Sequence, residues 1–351
     1  MSENAVIPVP SGRSEDRGSE FAVLLRRVRG AGLLERRPGY YSMKVGTTAA
    51  MLIAGIVGFI LLGDSWWQLF IAAYLAVVFA QIGFVGHDAG HRQIFRQRHA
   101  NALIGVICAN LLIGLSYAWW VDKHNRHHAH PNEVGRDPDV SGGVVAFSLR
   151  QVRDRGAFAR AMARCQAWFF FPLLLLEGLH LHIASIRALF NRPGRTELLE
   201  GGLLVVHAAV YLGTIFLVLS PLKAVVFIAV QQGLFGLYLG CAFAPNHKGM
   251  PMPEEGEASQ DFLRRQVLTS RNVRGGPITD WVLGGLNYQI EHHLFPSMPR
   301  PNLRRVQSMV RAFCAEHGID YLECSAVGSY RQALQHLNTV GAIVTPAESS
   351  I

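Results

Sequence analysis

Three short stretches of the chain carry histidines at spacings that suit one face of a helix. We call them boxes 1, 2 and 3, and their histidines are His87 and His91 in HDAGH, His124, His127 and His128 in HNRHH, and His292 and His293 in QIEHH. Residues three or four apart on a helix share a face, so each box directs its imidazoles to one side. Neutral imidazole binds Fe, Zn, Cu and Ni well, whereas Mg and Ca prefer oxygen. The boxes therefore predict a transition-metal site.

The number of box histidines predicts two metal ions rather than one. Seven imidazoles exceed the four ligands of a tetrahedral zinc site. Without metal, the ring nitrogens of clustered imidazoles near lipid would lack hydrogen-bond partners, and the imidazoles would repel one another when protonated. His247 follows the last apolar segment in the stretch APNHKG, and we expect it to join the box histidines as a further ligand.

Several carboxylates and one carboxamide near the boxes are candidate partners of the imidazoles. A metal-bound imidazole usually donates its other N–H to a carboxylate, which fixes its tautomer and orientation. Gln289 precedes His292 by three residues and offers a neutral carboxamide. The candidates for a metal ligand, or for a hydrogen-bond partner of one, are Gln289, Asp88, Asp122, Asp137, Asp139 and Glu291.

Six apolar segments approach the roughly 20 residues that a helix needs to cross a bilayer. They lie at about 45–63, 65–86, 102–121, 166–186, 201–220 and 224–244. Asp64 is the only charge between the first two segments and Lys223 the only charge between the last two, so each of these pairs is predicted to form a helical hairpin. Trp119 and Trp120 at the end of segment 102–121, and Glu177 in segment 166–186, are typical of helices at the membrane interface.

The basic residues predict the topology. If only the two hairpins cross, 32 of the 33 Lys and Arg residues fall on one side of the membrane and only Lys223 falls on the other. Basic residues collect in cytoplasmic loops. If segments 102–121 and 166–186 also crossed, the eight basic residues of 122–165 would lie outside. We therefore expect four crossings, with both termini and the metal site cytoplasmic.

Composition agrees with a membrane protein. Half of the 351 residues are hydrophobic and 17% are charged, against about 25% charged in a soluble domain. The net charge of +8 would suggest nucleic acid as a partner of a soluble protein, but cytoplasmic loops explain it here. We expect no nucleic-acid partner.

These patterns together predict a fold class and a domain organisation. The predicted class is an all-α integral membrane protein, with four transmembrane helices in two hairpins, interfacial helices, and a cytoplasmic helical cap that carries a histidine-rich dimetal site. The cap includes a helix near 301–317, because Leu303, Val306, Val310 and Phe313 recur at helical spacing. The predicted domains are a cytoplasmic N-terminal tail at 1–44, a membrane domain at 45–337 and a flexible C-terminal tail at 338–351.

At the three boxes the sequence closely resembles the membrane fatty acid desaturases. The stretches HDAGH, HNRHHAHPNEVGRDPDV and NYQIEHHLFPSMPRPNL are similar to that family's histidine boxes in order and interval. The likeness extends over roughly residues 40–320. Box 3, with Gln289 where many members have histidine, resembles the branch of front-end acyl desaturases, sphingoid desaturases and bacterial relatives.

The resemblance implies a non-haem di-iron centre that uses O₂ and two electrons to remove two hydrogens from adjacent carbons of an acyl chain. The iron ligands that it implies are His87, His91, His124, His127, His128, His247, His292 and His293. The implied substrates are acyl-CoA, acyl carrier protein or lipid-linked acyl chains, met in membrane lipid. Many front-end members carry a fused cytochrome b5 domain with an HPGG signature, which this sequence lacks. We therefore expect a separate electron donor, either a ferredoxin, a cytochrome b5-like protein or a flavoprotein reductase.

Two other functions remain open from the sequence. An acyl or alkane hydroxylase, or a carotenoid-modifying oxygenase, could use similar boxes and would yield an alcohol instead of an alkene. A metal-handling transporter would place ionisable residues inside the crossing helices. The four proposed spans contain only His207 of that kind, which disfavours the transporter.

Overall fold

The computed structural model describes residues 19–141, 143–191, 194–254 and 261–342. Within these ranges the chain is mainly helical, with one π-helical segment and two short strands. The elements in chain order are α1 (Glu20–Gly30), α2 (Pro38–Leu62), α3 (Gln68–Gly90), α4 (Arg98–Val106), the π segment (Ile107–Ile113), α5 (Tyr117–Ala129), α6 (Leu149–Arg153), α7 (Ala157–Ala163), α8 (Gln166–Leu174), α9 (Glu177–Asn191), α10 (Arg195–Val218), α11 (Pro221–His247), α12 (Phe262–Leu268), β1 (Asn272–Val273), α13 (Pro277–Val282), α14 (Gln289–Leu294), α15 (Arg300–Glu316), β2 (Glu323–Cys324) and α16 (Ala326–Ala342).

Four helices, α2, α3, α10 and α11, are long and apolar enough to cross a membrane. They overlap the four segments predicted to span, but α2 begins at Pro38 and α10 at Arg195, several residues before the apolar stretches, and α3 begins at Gln68, three residues after the predicted start. Partners from other helices explain these extensions. Buried Lys44 of α2 donates to the Gln81 side chain at 2.5 Å, and Glu200 of α10 is buried against the start of α5.

The two middle segments form sharply bent helix pairs. The axis turns by 113° between the π segment and α5, and by 71° between α8 and α9. Each pair is long and apolar enough to cross only if its two halves are taken together, so length and composition allow four to six crossings. The first bend starts at Gly114, whose φ of +74° favours glycine. A Cβ there would also lie 2.6 Å from the ring of His207.

α3 is the central helix of the membrane part. Almost every residue from Val78 to Ala89 is buried, because α3 packs against α2, α4, the π segment and α11. Phe79 of α3 meets Phe235 of α11 edge to face, with ring centres 5.9 Å apart. The end of α3 that carries box 1 is therefore held on several sides.

A second hydrophobic core lies outside the four candidate spans. It joins α1, α12, α14 and α15, and its buried members include Leu24, Val28, Leu263, Val306 and Phe313. The face of α15 that the spacing predicted is buried throughout. β1 and β2 pair in parallel, with Asn272 opposite Glu323. This core holds box 3 beside the ends of α3 and α11.

Both predicted tails include helical residues at their inner ends. The range 1–44 includes α1, whose Leu24 and Val28 are fully buried, so this part is a packed helix. The helix α16 continues to Ala342, past the expected boundary at 337, because Val340 and Gly341 are also buried. The remaining parts of both predicted tails, 1–18 and 343–351, lie outside the described residues.

Candidate metal centre

Box 1 lies at the C-terminal end of α3, and His91 is the first residue after the helix. Asp88 forms a buried ion pair with Arg300 of α15, with a nitrogen–oxygen distance of 2.7 Å. Its other oxygen lies 3.5 Å from Nδ1 of His87. Arg300 also donates to the carbonyl of Phe84 at 2.7 Å. Burial alone would lower the pKa of Arg300, but the charge of Asp88 raises it above its usual value. Arg300 thus fixes the end of α3 that carries box 1.

Box 2 occupies the second half of α5, and a carboxylate from another helix caps the start of α5. The Ser116 hydroxyl accepts from the N–H of Trp119 at 3.2 Å. Glu200 of α10 accepts from the Ser116 hydroxyl at 2.5 Å and from the N–H of Ala118 at 2.9 Å. These contacts satisfy N–H groups that have no partner inside the helix. The position of box 2 therefore depends on Glu200.

Box 3 forms the short helix α14, and His247 is the last residue of α11. Both box 3 imidazoles are buried. The carboxylate of Glu291 accepts from the side-chain amide of Asn272 at 2.6 Å and from the Tyr321 hydroxyl at 2.7 Å. Burial raises the pKa of this carboxyl to about 7. Glu291 thus anchors box 3 to β1 and to the segment after α15, because each of its carboxylate oxygens accepts one of these two hydrogen bonds.

The imidazoles converge in two groups. The first histidine group is His87, His91, His124 and His292, and the second histidine group is His127, His247 and His293. Within each group, one ring nitrogen per residue lies within 4.8 Å of all the others. His128 lies between the groups, with its Nε2 3.1 Å from that of His124 and its ring centre 4.2 Å from that of His293. Segments distant in sequence thus place eight imidazoles in one cluster.

In the second histidine group, each imidazole donates its Nδ1–H to an oxygen atom. The donor and acceptor pairs are His127 with the Asp137 carboxylate, His247 with the Thr269 carbonyl, and His293 with Oε1 of Gln266, at 2.9–3.0 Å. Each Nε2 therefore keeps a lone pair. Nε2 of His247 lies 3.3 Å from that of His127 and 3.1 Å from that of His293. Lone pairs that face each other at this distance repel unless a cation lies among them.

The first histidine group also has nitrogens available for a metal ion. Nε2 of His87 and Nε2 of His292 are buried, and neither has a hydrogen-bond partner among the described residues. Nε2 of His91 lies 2.9 Å from that of His124. Two imidazole nitrogens that bind one metal ion at about 2.1 Å, at tetrahedral or right angles, lie about 3.0–3.4 Å apart. The nitrogen spacings of both groups therefore fit a metal ion in each.

Burial keeps the box 3 imidazoles neutral, as metal ligation requires. The pKa of His292 and that of His293 are lowered well below the usual range by burial, and the neighbouring imidazoles lower them further.

Asp137 and Asp139 lie beside the second histidine group. Asp137 is fully buried and also accepts from the backbone N–H groups of Asn132 and Asp139, at 2.7 and 2.8 Å. Burial alone would raise the pKa of Asp137, but the hydrogen bond from His127 lowers it. Asp139 forms an ion pair with Lys123 and has an oxygen 3.5 Å from Nδ1 of His127. Asp137 therefore orients His127, and Asp139 adds negative charge next to it.

Asp122 lies apart from both histidine groups. Its carboxylate is half exposed and lies 3.4 Å from Nε of Arg126, one turn further along α5. The structure brings Asp88, Asp137 and Asp139 to the imidazoles, whereas it places Asp122 on the outer face of α5.

Gln289 reaches the second histidine group with its side-chain nitrogen, which lies 2.9 Å from Nε2 of His247. Its side-chain oxygen accepts from Nδ2 of Asn246 at 3.3 Å. Asn246 in turn donates to the carbonyl of Leu286 at 3.0 Å, which fixes its own amide orientation. A carboxamide binds metal through its oxygen. In this arrangement Gln289 keeps its oxygen on Asn246 and places an N–H group beside Nε2 of His247. Because Nε2 of His247 has a single lone pair, a metal ion bound there would replace this contact.

Some residues that position the imidazoles carry no motif in the sequence. Gln266 accepts from His293 and donates its amide to the carbonyl of His128 at 2.9 Å, so it links two boxes. Gln266 lies in α12 and Thr269 directly follows it. Neither the residue types nor the spacing in this stretch indicates a site. Arg300 is different, because it is a lone charge close to box 3 and could have been suspected from that position.

Comparison with known proteins agrees with this geometry. A family model described as fatty acid desaturase matches residues 64–325, which include all three boxes. The acyl-lipid (9-3)-desaturase of Physcomitrium patens is 33% identical over 313 residues, which cover 86% of this chain and 58% of that protein. The Delta(6)-fatty-acid desaturase fat-3 of Caenorhabditis elegans is 30% identical over 335 residues, covering 91% of this chain and 74% of that protein. The Delta(5) fatty acid desaturase fat-4 of the same organism is 31% identical over 322 residues, covering 88% and 71%.

The family predicted from the three boxes is therefore confirmed: this chain belongs to the fatty acid desaturase family.

Proposed function

We propose that this chain is a membrane fatty acyl desaturase, which introduces a carbon–carbon double bond into an acyl chain at a di-iron centre. The observation that carries the proposal is the pair of histidine groups with nitrogens at metal-ligand spacing. The proposed iron ligands are His87, His91, His124, His127, His128, His247, His292 and His293. Family membership supports iron over the other metals that imidazole binds.

The balance of the reaction defines what the site must receive. Removal of two hydrogens from adjacent carbons, with two electrons and two protons added, reduces one O₂ to two waters. When bound, the metal ions would supply an oxidant strong enough to attack an unactivated methylene. The substrate is an acyl chain on CoA, on acyl carrier protein or in a lipid, and the electrons come from a ferredoxin, a cytochrome b5-like protein or a flavoprotein reductase.

The protein's own contribution is orientation and the exclusion of water. Asp137 holds the tautomer of His127, and an imidazole fixed in this way binds metal more tightly. Aromatic rings close one side of the first histidine group. Trp120 stacks on His124 at 4.6 Å, and Phe243 lies 6.3 Å from the ring of His87. An apolar wall at this place suits a methylene chain and keeps water from the reacting carbons.

We further propose the two-hairpin topology for the membrane domain at 45–337, with both termini and the metal centre in the cytoplasm. The distribution of basic residues supports it. The loop after α2 is joined to the first turn of α11 by the ion pair of Asp64 and Lys223, whereas box 1 and His247 lie at the opposite ends of α3 and α11. Cysteines introduced at positions 64 and 222 should be labelled from outside intact cells, and cysteines at 145, 195 and the exposed position 274 only after permeabilisation. External labelling at 145 would mean that the bent pairs cross.

Product mass tests the proposed reaction directly. Membranes that contain the protein are supplied with O₂, a reducing system and acyl donors of each class, and the products are analysed by mass spectrometry with location of the double bond. We expect a loss of two mass units on at least one donor. A gain of sixteen, with no alkene on any donor, would assign the chain to the hydroxylases instead.

Metal content tests the proposed centre. The purified protein should hold about two irons per chain. His127→Ala and His292→Ala should remove metal and activity while the protein stays in the membrane. His99→Ala is the matched control, because His99 is an exposed histidine outside the cluster. A single zinc that neither substitution changes would overturn the di-iron proposal.

A further inference from the structure

A cleft of about 560 Å³ lies between the segment before α2 and the first turn of α15. Small-molecule sites have volumes in this range. The polar and charged side chains that line it are those of Arg36, Arg37, Tyr40, Asn302 and Arg305. Three of them are guanidinium groups, and none of the described lining residues is acidic. The cleft is therefore a concentrated positive site.

Neutral acceptors hold two of these arginines in place. Arg36 donates to the carbonyl of Ser297 at 2.8 Å, and Arg37 donates from Nε to the side-chain oxygen of Asn302 at 3.0 Å. A guanidinium has five N–H donors, so each retains donors for a ligand. Burial lowers the pKa of Arg36, and repulsion from Arg96 adds to this effect. No carboxylate of the described chain forms an ion pair with Arg36, Arg37 or Arg305. A bound anion would offset the positive charge of these three guanidinium groups.

The location of the cleft indicates which anion it receives. Pro38 and Gly39 line it, and they begin α2, a candidate membrane span. The cleft therefore opens where a span would meet the polar surface of the bilayer, at the depth of lipid phosphates. Guanidinium groups bind phosphate through paired N–H bonds, and basic pockets at the ends of spans bind lipid headgroups.

We propose that this arginine cleft binds a phosphate ester, which comes from a phospholipid headgroup or from a soluble phosphorylated carrier such as coenzyme A. The proposal goes beyond the desaturase assignment and does not depend on it, because binding is measured without turnover.

Calorimetric titration of the purified full-length protein in an uncharged detergent tests the proposal. The ligands are dihexanoyl phosphatidic acid, coenzyme A, and dihexanoylglycerol, which lacks phosphate. We expect at least one phosphate ligand to bind at a single site and dihexanoylglycerol not to bind there. Binding of phosphatidic acid alone assigns the site to lipid, binding of coenzyme A alone assigns it to a soluble carrier, and binding of both shows that the phosphate suffices.

Arg305 is the residue to change, because it is exposed and its side chain forms no hydrogen bond or ion pair within the described chain. Arg305→Gln should weaken phosphate binding about ten-fold, the size expected for a charge-assisted hydrogen bond, and Arg305→Glu should abolish it. Arg304→Gln is the control, since it removes the same charge from the adjacent residue, which lies outside the cleft and is 4.0 Å from Asp280 in a partly exposed ion pair. It should weaken binding less than about two-fold. Melting temperatures of all variants are compared with that of the unmodified protein.

The proposal fails if neither phosphate ligand binds, if dihexanoylglycerol binds as well as phosphatidic acid, or if Arg304→Gln and Arg305→Gln weaken binding equally.

Discussion

Arg300 and Asp88 form a fully enclosed ion pair, with 2.7 Å between the guanidinium nitrogen and the carboxylate oxygen and at most 6% of either side chain exposed. The pair joins α15 to the last turn of α3, where His87 faces the first histidine group. Removal of one partner from a buried pair leaves an uncompensated charge. Asp88→Asn should therefore lower the free energy of unfolding by about 3–5 kcal/mol, as measured by denaturation in detergent.

The control for this prediction is Glu316→Gln, which makes the same carboxyl-to-amide change in an exposed pair. Glu316 lies 2.8 Å from Arg27, and both side chains are about half exposed, so the loss should stay within about 1 kcal/mol. If Asp88→Asn were no more destabilising than Glu316→Gln, the ion pair would not be what holds box 1.

Asp137 and Asp122 provide a matched pair of variants around box 2. Asp137→Asn weakens the acceptor that fixes His127, and loss of such a partner typically lowers metal affinity by about 10–100-fold. Competition with a chelator of known affinity measures the change. Asp122→Asn should leave the affinity unchanged, because Asp122 pairs with Arg126 on the outer face of α5. Equal losses in the two variants would contradict the assigned roles.

Gln289 should be needed for turnover but not for metal content. Its amide oxygen is used by Asn246 and its nitrogen faces His247, so Gln289→Ala removes a donor and leaves every imidazole in place. We expect Gln289→Ala to lose most of the activity and to keep about two metal ions per chain. Gln289→His should also retain metal, with altered activity, since imidazole is a stronger ligand. Loss of one ion in Gln289→Ala would instead make the carboxamide a ligand.

Glu200 should control the order of the first turn of α5. Glu200→Ala leaves the N–H of Ala118 and the hydroxyl of Ser116 without their acceptor, and such a loss costs about 1–3 kcal/mol. Hydrogen exchange at residues 118–121 should become faster, and metal should be lost on chelation more readily than in the wild type. Glu200→Gln retains one acceptor oxygen and should show a smaller effect. Unchanged exchange in Glu200→Ala would show that α5 does not need this cap.

The sequence predicts what is local and repetitive in this molecule. Within the described ranges, hydropathy locates the four single helices that are long and apolar enough to cross a membrane, because a bilayer imposes a length and a composition on each span. It misplaces their ends, since Lys44 and Glu200 look too polar for a helix that continues through them. Their partners, Gln81 and Ser116, come from other helices. Window averages contain no information about such partners.

The same limit applies to the metal centre. Histidine spacing identifies the imidazoles, but it does not reveal that Asp137 turns inward while Asp122 turns outward, because both are acids close to box 2. The acceptors of His247 and His293 come from α12 and the residue after it, which carry no pattern. Only the fold brings them to the site. The division into two groups also depends on how each helix is rotated about its own axis. A spacing of three or four residues does not determine that rotation.

The order of the ligands along the chain has a consequence for biosynthesis. The first histidine group lacks His292, and the second lacks His293, until box 3 has left the ribosome. Boxes 1 and 2 must therefore enter or approach the membrane with incomplete sets of ligands and wait there for about half of the elongation time, since 163 of the 351 residues separate His128 from His292. Metal affinity depends on an assembled set of deprotonated ligands, so we expect stable insertion of metal only after box 3 has been translated. Cells starved of metal should accordingly accumulate full-length, membrane-inserted apoprotein, and later addition of the metal should activate it without new protein synthesis.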